Sequence, residues 1–320
     1  MTNTDLWKHI TKEKHSEFLH SLLLFGKTEW SSEKQLRTLY AIAANTHKHY
    51  KRAKIKKSDG TNRELLMPDY ILKKIQRNIL KNALEKLSVS SHVTAYRKGD
   101  SVLKNAAVHL GKSKILKLDI KNFFDSITFS VIYRYAFPRV YYPPSVAGLL
   151  TALCCYDSYL PQGAPTSAAI SNLVMKNFDN YIGKWCSERK IAYTRYCDDM
   201  TFSGDFNAAP LKTKVSSMLF AMGFELNDRK TKVIKRSGRQ LVTGVVVNDK
   251  LQVSKNYRRK IRQEVYYIEK YGLDSHLSKI NSPKEKYLCS LLGRINYVLQ
   301  INPSDKDFLV MKDTIINAAV

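Results

Sequence analysis

Acidic residues are scarce in this chain of 320: 28 Asp and Glu stand against 53 Lys and Arg, a formal net charge of +25. A field of that size repels itself unless a polyanion sits in it. Nucleic acid is therefore the leading partner expected, ahead of an anionic membrane. Glycine and proline are also few, at 13 and 9, which excludes a collagenous or low-complexity chain. No apolar run approaches the ~20 residues of a membrane span. The opening MTNTDLWKHITKEKH lacks the apolar stretch of a secretory signal. The five cysteines are odd in number and show no CxxC spacing, so neither a disulfide framework nor a zinc site is indicated. The expectation is a soluble cytosolic protein that holds a nucleic acid.

The charge that is present is unevenly placed. Residues 48–117 carry a net +13, residues 118–210 a net 0, and residues 211–270 a net +10. A merely solvated basic surface would be spread more evenly. Two basic walls around a carboxylate-bearing centre suggest a cleft that grips phosphates and does metal chemistry between the grips.

Hydrophobic spacing indicates a mixed α and β core. Residues 70–87 place Ile71, Leu72, Ile75, Ile79, Leu80, Leu84 and Leu87 at helical intervals, with Asp69 as N-cap. Residues 113–120 alternate like a strand ending at Asp119. Residues 166–186 read as a long amphipathic helix through Ile170, Leu173, Val174, Phe178, Tyr181, Ile182 and Trp185. Residues 191–203 read as strand, tight turn, strand, with Asp198 and Asp199 at the turn. A helix capped by Ser254 runs to about Tyr271 and closes at Gly272, and a last helix covers Lys286–Leu299. Cys154 and Cys155 are expected in the core.

Adjacent carboxylates at a hairpin turn repel one another unless cations occupy the site. If the strand ending at Asp119 neighbours that hairpin, three carboxylates converge at one end of a sheet. Such a set suits two divalent ions about 3.5–4 Å apart. An isolated YxDD is equally consistent with a solvated turn pair.

The motif is not isolated. LKLDIKNFFDSI (116–127), LPQGAPTS (160–167) and YCDD (196–199) occur in an order that resembles motifs A, B and C of reverse transcriptases. GFELNDRKTKV (223–233) resembles the motif that follows C, and KKSDGTNRELLMP (56–68) the fingers segment. NAAVH (105–109) and VTGVVVN (242–248) resemble elements that mark retron reverse transcriptases. One departure is Cys197, where those enzymes most often have Ala; a small side chain is retained, so the same catalysis is expected, while another bacterial defence-type group stays open as the alternative.

The resemblance implies an α+β right-hand polymerase, with palm, fingers and thumb around a central antiparallel sheet. Its expected divisions are an N-terminal helical extension (1–47), fingers (48–117), palm (118–247) and thumb (248–320). It implies an RNA-directed DNA polymerase using two Mg²⁺ ions, held by Asp119, Asp198, Asp199 and the backbone carbonyl of Ile120. Phe124 matches the family's steric gate, whose ring would clash with a 2′-OH, whereas Phe123 reads as core. Arg63 matches the triphosphate-binding arginine, with Lys56 and Lys57 as second choices. Gln162 and Gly163 stand at the start of a helix, where a missing side chain lets backbone approach the nucleotide closely. Lys230 could neutralise or protonate the leaving pyrophosphate, or make a plain phosphate contact.

For RNA the candidates are Asn105 and His109, the latter with a structural hydrogen bond as the alternative, together with Arg236, Arg239, Lys255, Arg258, Arg259 and Arg262. Tyr257, Tyr266, Tyr267 and Tyr271 could stack on bases but read mostly as core or rim. Implied partners are a cognate structured noncoding RNA, its cDNA product, dNTPs and a separate effector protein in anti-phage defence, with no membrane. The product would be branched msDNA primed from a 2′-OH. Rival readings are an intron-type or other defence polymerase with a different template and primer, or a non-catalytic RNA-binding scaffold.

Overall fold

The computed structural model describes residues 11–56, 60, 62–281 and 283–318; Lys57 lies outside them. Helices α1 (Lys12–Ser21) and α2 (Ser32–Ala44) start from the hydroxyl caps Thr11 and Ser31. A hairpin follows, β1 (Tyr50–Lys56) and β2 (Asn62–Pro68), paired antiparallel from Tyr50↔Pro68 to Lys56↔Asn62. Asp69 then caps α3 (Tyr70–Ile79) through Leu72 N–H at 2.9 Å. The apolar spacing continues past Ile79, but the backbone widens into a π turn over Leu80–Leu84, where Glu85 N–H reaches Leu80 O.

Short α4 (Val102–Ala107) leads to β3 (Lys114–Asp119), α5 (Phe129–Tyr135), α6 (Pro144–Cys154) and the 21-residue α7 (Ser167–Ser187). Next come β4 (Ala192–Tyr196), β5 (Asp199–Gly204), α8 (Ala208–Ala221) and β6 (Lys232–Lys235). Strands β3 to β6 form one antiparallel sheet in the order β4-β5-β3-β6. The apolar face of α7 is buried through Ile170, Leu173, Val174, Phe178 and Ile182. Tyr181, expected on that face, is exposed beneath the Lys214 ammonium.

A small sheet, β7 (Leu241–Val242), β8 (Val245–Val246) and β9 (Gln252–Val253), precedes α9 (Lys255–Tyr271), α10 (Leu273–Ile280) and α11 (Lys284–Ile301). Helix α11 is not the last: α12 (Lys306–Asn317) packs back against it. Its buried anchors are only Phe308 and Ile315, too sparse to announce an amphipathic face.

Two hydrophobic cores result among the described residues. One joins Leu19, Phe25 and Ile42 of the N-terminal segment to α3, α6, α7 and the central sheet, and encloses Cys154 and Cys155. The other gathers Val242, Val245 and Val253 with α9, α11 and α12, and reaches back to Ala106 and Ile115. Ile115 and Leu116, neighbours on β3, therefore serve different cores. Strand β3 thus lies between the two cores, while β6 at the sheet's margin is mostly exposed.

Candidate active site

Side chains alternate along β3, sending Ile115 to one buried face and Leu116 and Leu118 to the other, while the strand's end places Asp119, itself largely buried, at the floor of a cleft. The antiparallel register sets Asp119 opposite Asp199 on β5, one step beyond Leu118↔Met200. Between β4 and β5 the turn is tight, and Cys197 takes φ +61. Ile120 N–H donates to the carbonyl of Asp198 at 3.1 Å, tying that turn to the end of β3. Asp119, Asp198 and Asp199 thus share one end of the sheet, the convergence expected if these strands are neighbours, and Ile120 follows directly on β3.

These residues floor a cleft of about 670 Å³. Its walls bring in Arg63 and Glu64 from β2, Phe124 and Asp125 from the segment after β3, Gln162, and Lys230 from the turn before β6. Phe124 is half-buried with its ring 5.5 Å from that of Phe123, which is buried against Phe224. Gln162 O accepts Leu66 N–H at 2.9 Å, joining the hairpin to the start of α7. Gly163 sits at φ +126, and a Cβ there would come within 2.7 Å of Leu66 O. The close approach that requires glycine is to the protein's own hairpin backbone.

Lys230 Nζ donates to Asp119 Oδ2 at 2.8 Å. Burial pushes the Asp119 carboxyl above its ordinary value; the Lys230 hydrogen bond opposes this and the Asp198 charge adds to it. Asp199 is also raised, by burial first, with Lys117 pulling down and Asp198 and Asp119 pushing up. Among the described residues no three His, Cys, Asp or Glu side chains are already gathered into an ion cage. The donor set is nonetheless all oxygen, and its crowded carboxylates are what a hard divalent cation relieves.

Several expected RNA contacts lie elsewhere than anticipated. Asn105 and His109 are buried. Asn105 accepts from Thr94 Oγ1 at 2.9 Å and donates to Thr243 Oγ1 at 3.2 Å. His109 lies 2.7 Å from both Ser203 Oγ and Thr194 Oγ1, bridging β5 and β4. Neither side chain faces solvent, so these two residues of NAAVH are internal framework, while Ala107 and Val108 between them are exposed; the structural hydrogen bond is the alternative that holds for His109. Arg258 is turned inward, paired with Asp305 at 2.6 Å and set over the Phe308 ring. Arg262 pairs with Asp307 at 2.8 Å. Exposed basic groups remain at Arg236, which also pairs with Asp249, and at Arg239, Lys255 and Arg259. Tyr257 is half-buried against Tyr297, whereas Tyr266 and Tyr271 are half-exposed beside Lys270.

Sequence reasoning passed over a second constellation. Arg195 and Asp179 are wholly buried and paired at 2.7 Å. Tyr193 hydroxyl also donates to Asp179, and Arg195 Nη1 donates to Cys197 O at 2.8 Å, inside the YCDD turn. The signal was an arginine in an otherwise apolar strand and an aspartate on the buried face of α7.

Carboxylates at a sheet edge, beneath a cleft walled by a basic hairpin, define a polymerase palm within a right-hand fold. Residues 55–261 match the family described as reverse transcriptase (RNA-dependent DNA polymerase). The chain is 30% identical to Retron Ec83 reverse transcriptase of Escherichia coli, over 80% of this chain and 84% of that one. It is 29% identical to Retron Ec86 reverse transcriptase of the same organism, over 76% and 80%. Retron Mx65 reverse transcriptase of Myxococcus xanthus is 29% identical over 91% and 73%. Among solved structures, a telomerase from Candida albicans aligns over 90% of this chain and 68% of its own, with a TM-score of 0.45 and 11% identity. The chain belongs to the reverse transcriptases, of the retron type, and is an RNA-directed DNA polymerase. The family works with divalent metal ions. No helix among the described residues is long and apolar enough to cross a membrane.

Proposed function

We propose that Asp119, Asp198 and Asp199, with the Ile120 carbonyl, hold two Mg²⁺ ions in this cleft. The observation that carries the reading is the register Asp119↔Asp199, with Asp198 tied to the same strand end and Lys230 on Asp119. Such ions, when bound, activate a primer hydroxyl and stabilise the leaving oxygen. Arg63 then forks onto the triphosphate, Phe124 blocks a ribose 2′-OH, and Gln162 borders the nascent pair while Gly163 lets the hairpin backbone pack closely behind it. Lys230 leaves Asp119 for the pyrophosphate. The hairpin acts as fingers, the central sheet as palm and α9–α12 as thumb, with Arg236, Arg239, Lys255 and Arg259 on phosphates.

The substrate of this reading is a cognate structured noncoding RNA, copied in the cytoplasm from an internal 2′-OH into branched msDNA. Together with a separate effector protein, the complex serves anti-phage defence. The retron names of its relatives support this. Enzyme with RNA, primer, dNTPs and Mg²⁺ should extend DNA, and the Asp198→Asn, Asp199→Asn double variant should not; equal activity removes the metal assignment. Sequencing of the copurifying nucleic acid should find DNA joined 2′–5′ to one RNA. Free linear cDNA or protein-linked DNA would overturn the retron product.

A further inference from the structure

Tyr96 combines three properties that folding alone does not account for. Its φ is +60, the left-handed region where a bulky aromatic is an outlier. It is 56% exposed, so the strain is not offset by core burial. It also lines the catalytic cleft, its ring centroid 6.4 Å from that of Tyr196, the first residue of YCDD.

Strain persists only where the surroundings over-determine it, and here they do. Residues 92–95 run beside β4: Arg195 N–H donates to His92 O and Thr94 N–H to Arg195 O. Asn172 Nδ2 holds Ala95 O at 3.0 Å, and Asn105 accepts from Thr94 Oγ1 at 2.9 Å. On the far side, Arg97 Nη1 donates to Ser90 O at 3.2 Å. The internal asparagine of NAAVH thus helps fix the segment that presents Tyr96.

The order of the sheet gives this position meaning. Tyr96 flanks β4 at one lateral edge, Lys230 precedes β6 at the other, and the carboxylates of β5 and β3 lie between. In phosphoryl transfer the attacking and leaving oxygens are roughly in line. With Lys230 on the leaving side, the attacking hydroxyl enters from the side of Tyr96. We propose that Tyr96 is a primer-positioning residue, its ring supporting the nucleotide that carries the attacking hydroxyl. This rests on the metal and leaving-group assignments above. A purely local role is the competing account, because the Tyr96 hydroxyl also lies beside the Cys197 thiol.

The test uses the full-length enzyme with an RNA template and a DNA primer ending in a 3′-OH. Tyr96→Ala should weaken primer–template binding about ten-fold or more, in line with the loss of one stacked base, while the KM for dNTP and the melting temperature stay put. Tyr96→Phe, which keeps the ring but not the thiol contact, should recover primer affinity. Tyr96→Gly should relieve the strained backbone and melt no lower than wild type, yet share the Ala defect. Wild-type primer affinity in the Ala or Gly variant overturns the proposal, as does a Phe variant as impaired as Ala. The Asp198→Asn, Asp199→Asn variant is run in parallel. If it polymerises normally, the site assignment fails; if it is dead while Tyr96→Ala binds primer normally, only the Tyr96 inference fails.

Discussion

Arg195 Nη2 and Asp179 Oδ2 lie 2.7 Å apart, and neither side chain is exposed to solvent. Through Nη1, Arg195 also holds the Cys197 carbonyl, so the pair braces the turn that carries Asp198 and Asp199. Removing one partner strands a buried charge, at a cost of about 3–5 kcal/mol. Arg195→Met should show that loss as a lower urea midpoint, with polymerisation lost alongside. A midpoint unchanged from wild type would refute the bracing role.

Gly163→Ala tests the junction between hairpin and helix. A methyl at φ +126, 2.7 Å from Leu66 O, forces the backbone to move and costs about 1–3 kcal/mol. Because Arg63 rides on the same strand as Leu66, the KM for dNTP should rise more than that for primer–template. Equal rises would separate Gly163 from the hairpin's placement.

His109 gives a signed pH dependence. Burial, aided by Lys112, pushes its imidazole down to about 3, from 6.5 for the free group. Between those values the unfolded chain binds the extra proton and the folded chain does not. Stability is therefore full above about pH 6.5 and is lost as pH falls toward 3, by about 1.4 kcal/mol per unit from this group. Urea midpoints measured from pH 7 to 5 should fall in wild type and fall less steeply in His109→Asn. Parallel slopes would exclude His109 as the source.

Arg258 and Arg259 are adjacent on α9 yet should behave oppositely. Arg258→Ala breaks the pair with Asp305 and uncovers Phe308, so it should lower the melting temperature. Arg259→Ala should leave melting unchanged and reduce the salt slope of RNA binding by about 1. The reverse pattern would reassign both residues.

The parts legible in the sequence are those fixed by near neighbours. The strand ending at Asp119, the YCDD hairpin and the capped helix at Ser254 each announce themselves through local alternation or a cap, and all three occur. The Arg195–Asp179 pair left only a faint signal, because a charged residue in a short strand reads as solvated unless its distant partner is known. The same blindness put Asn105, His109 and Arg258 on the RNA side: partners more than 40 residues away decide their burial. Tyr96 gave no signal, since a left-handed φ is invisible in residue identity.

The pairing of Asp119 with Asp199 also has a consequence for how this polymerase can change over time. Strand register moves in whole residues, and one step turns each side chain to the opposite face. A single deletion in β3 would send Asp119 away from the cleft and, with it, exchange the residues that Ile115 and Leu116 supply to the two cores. The spacing between the sheet's interior and its acidic edge is thus closed to insertion and deletion. Length variation in descendants of this enzyme should fall outside β3 and β5, in connections such as the segment between β5 and α8.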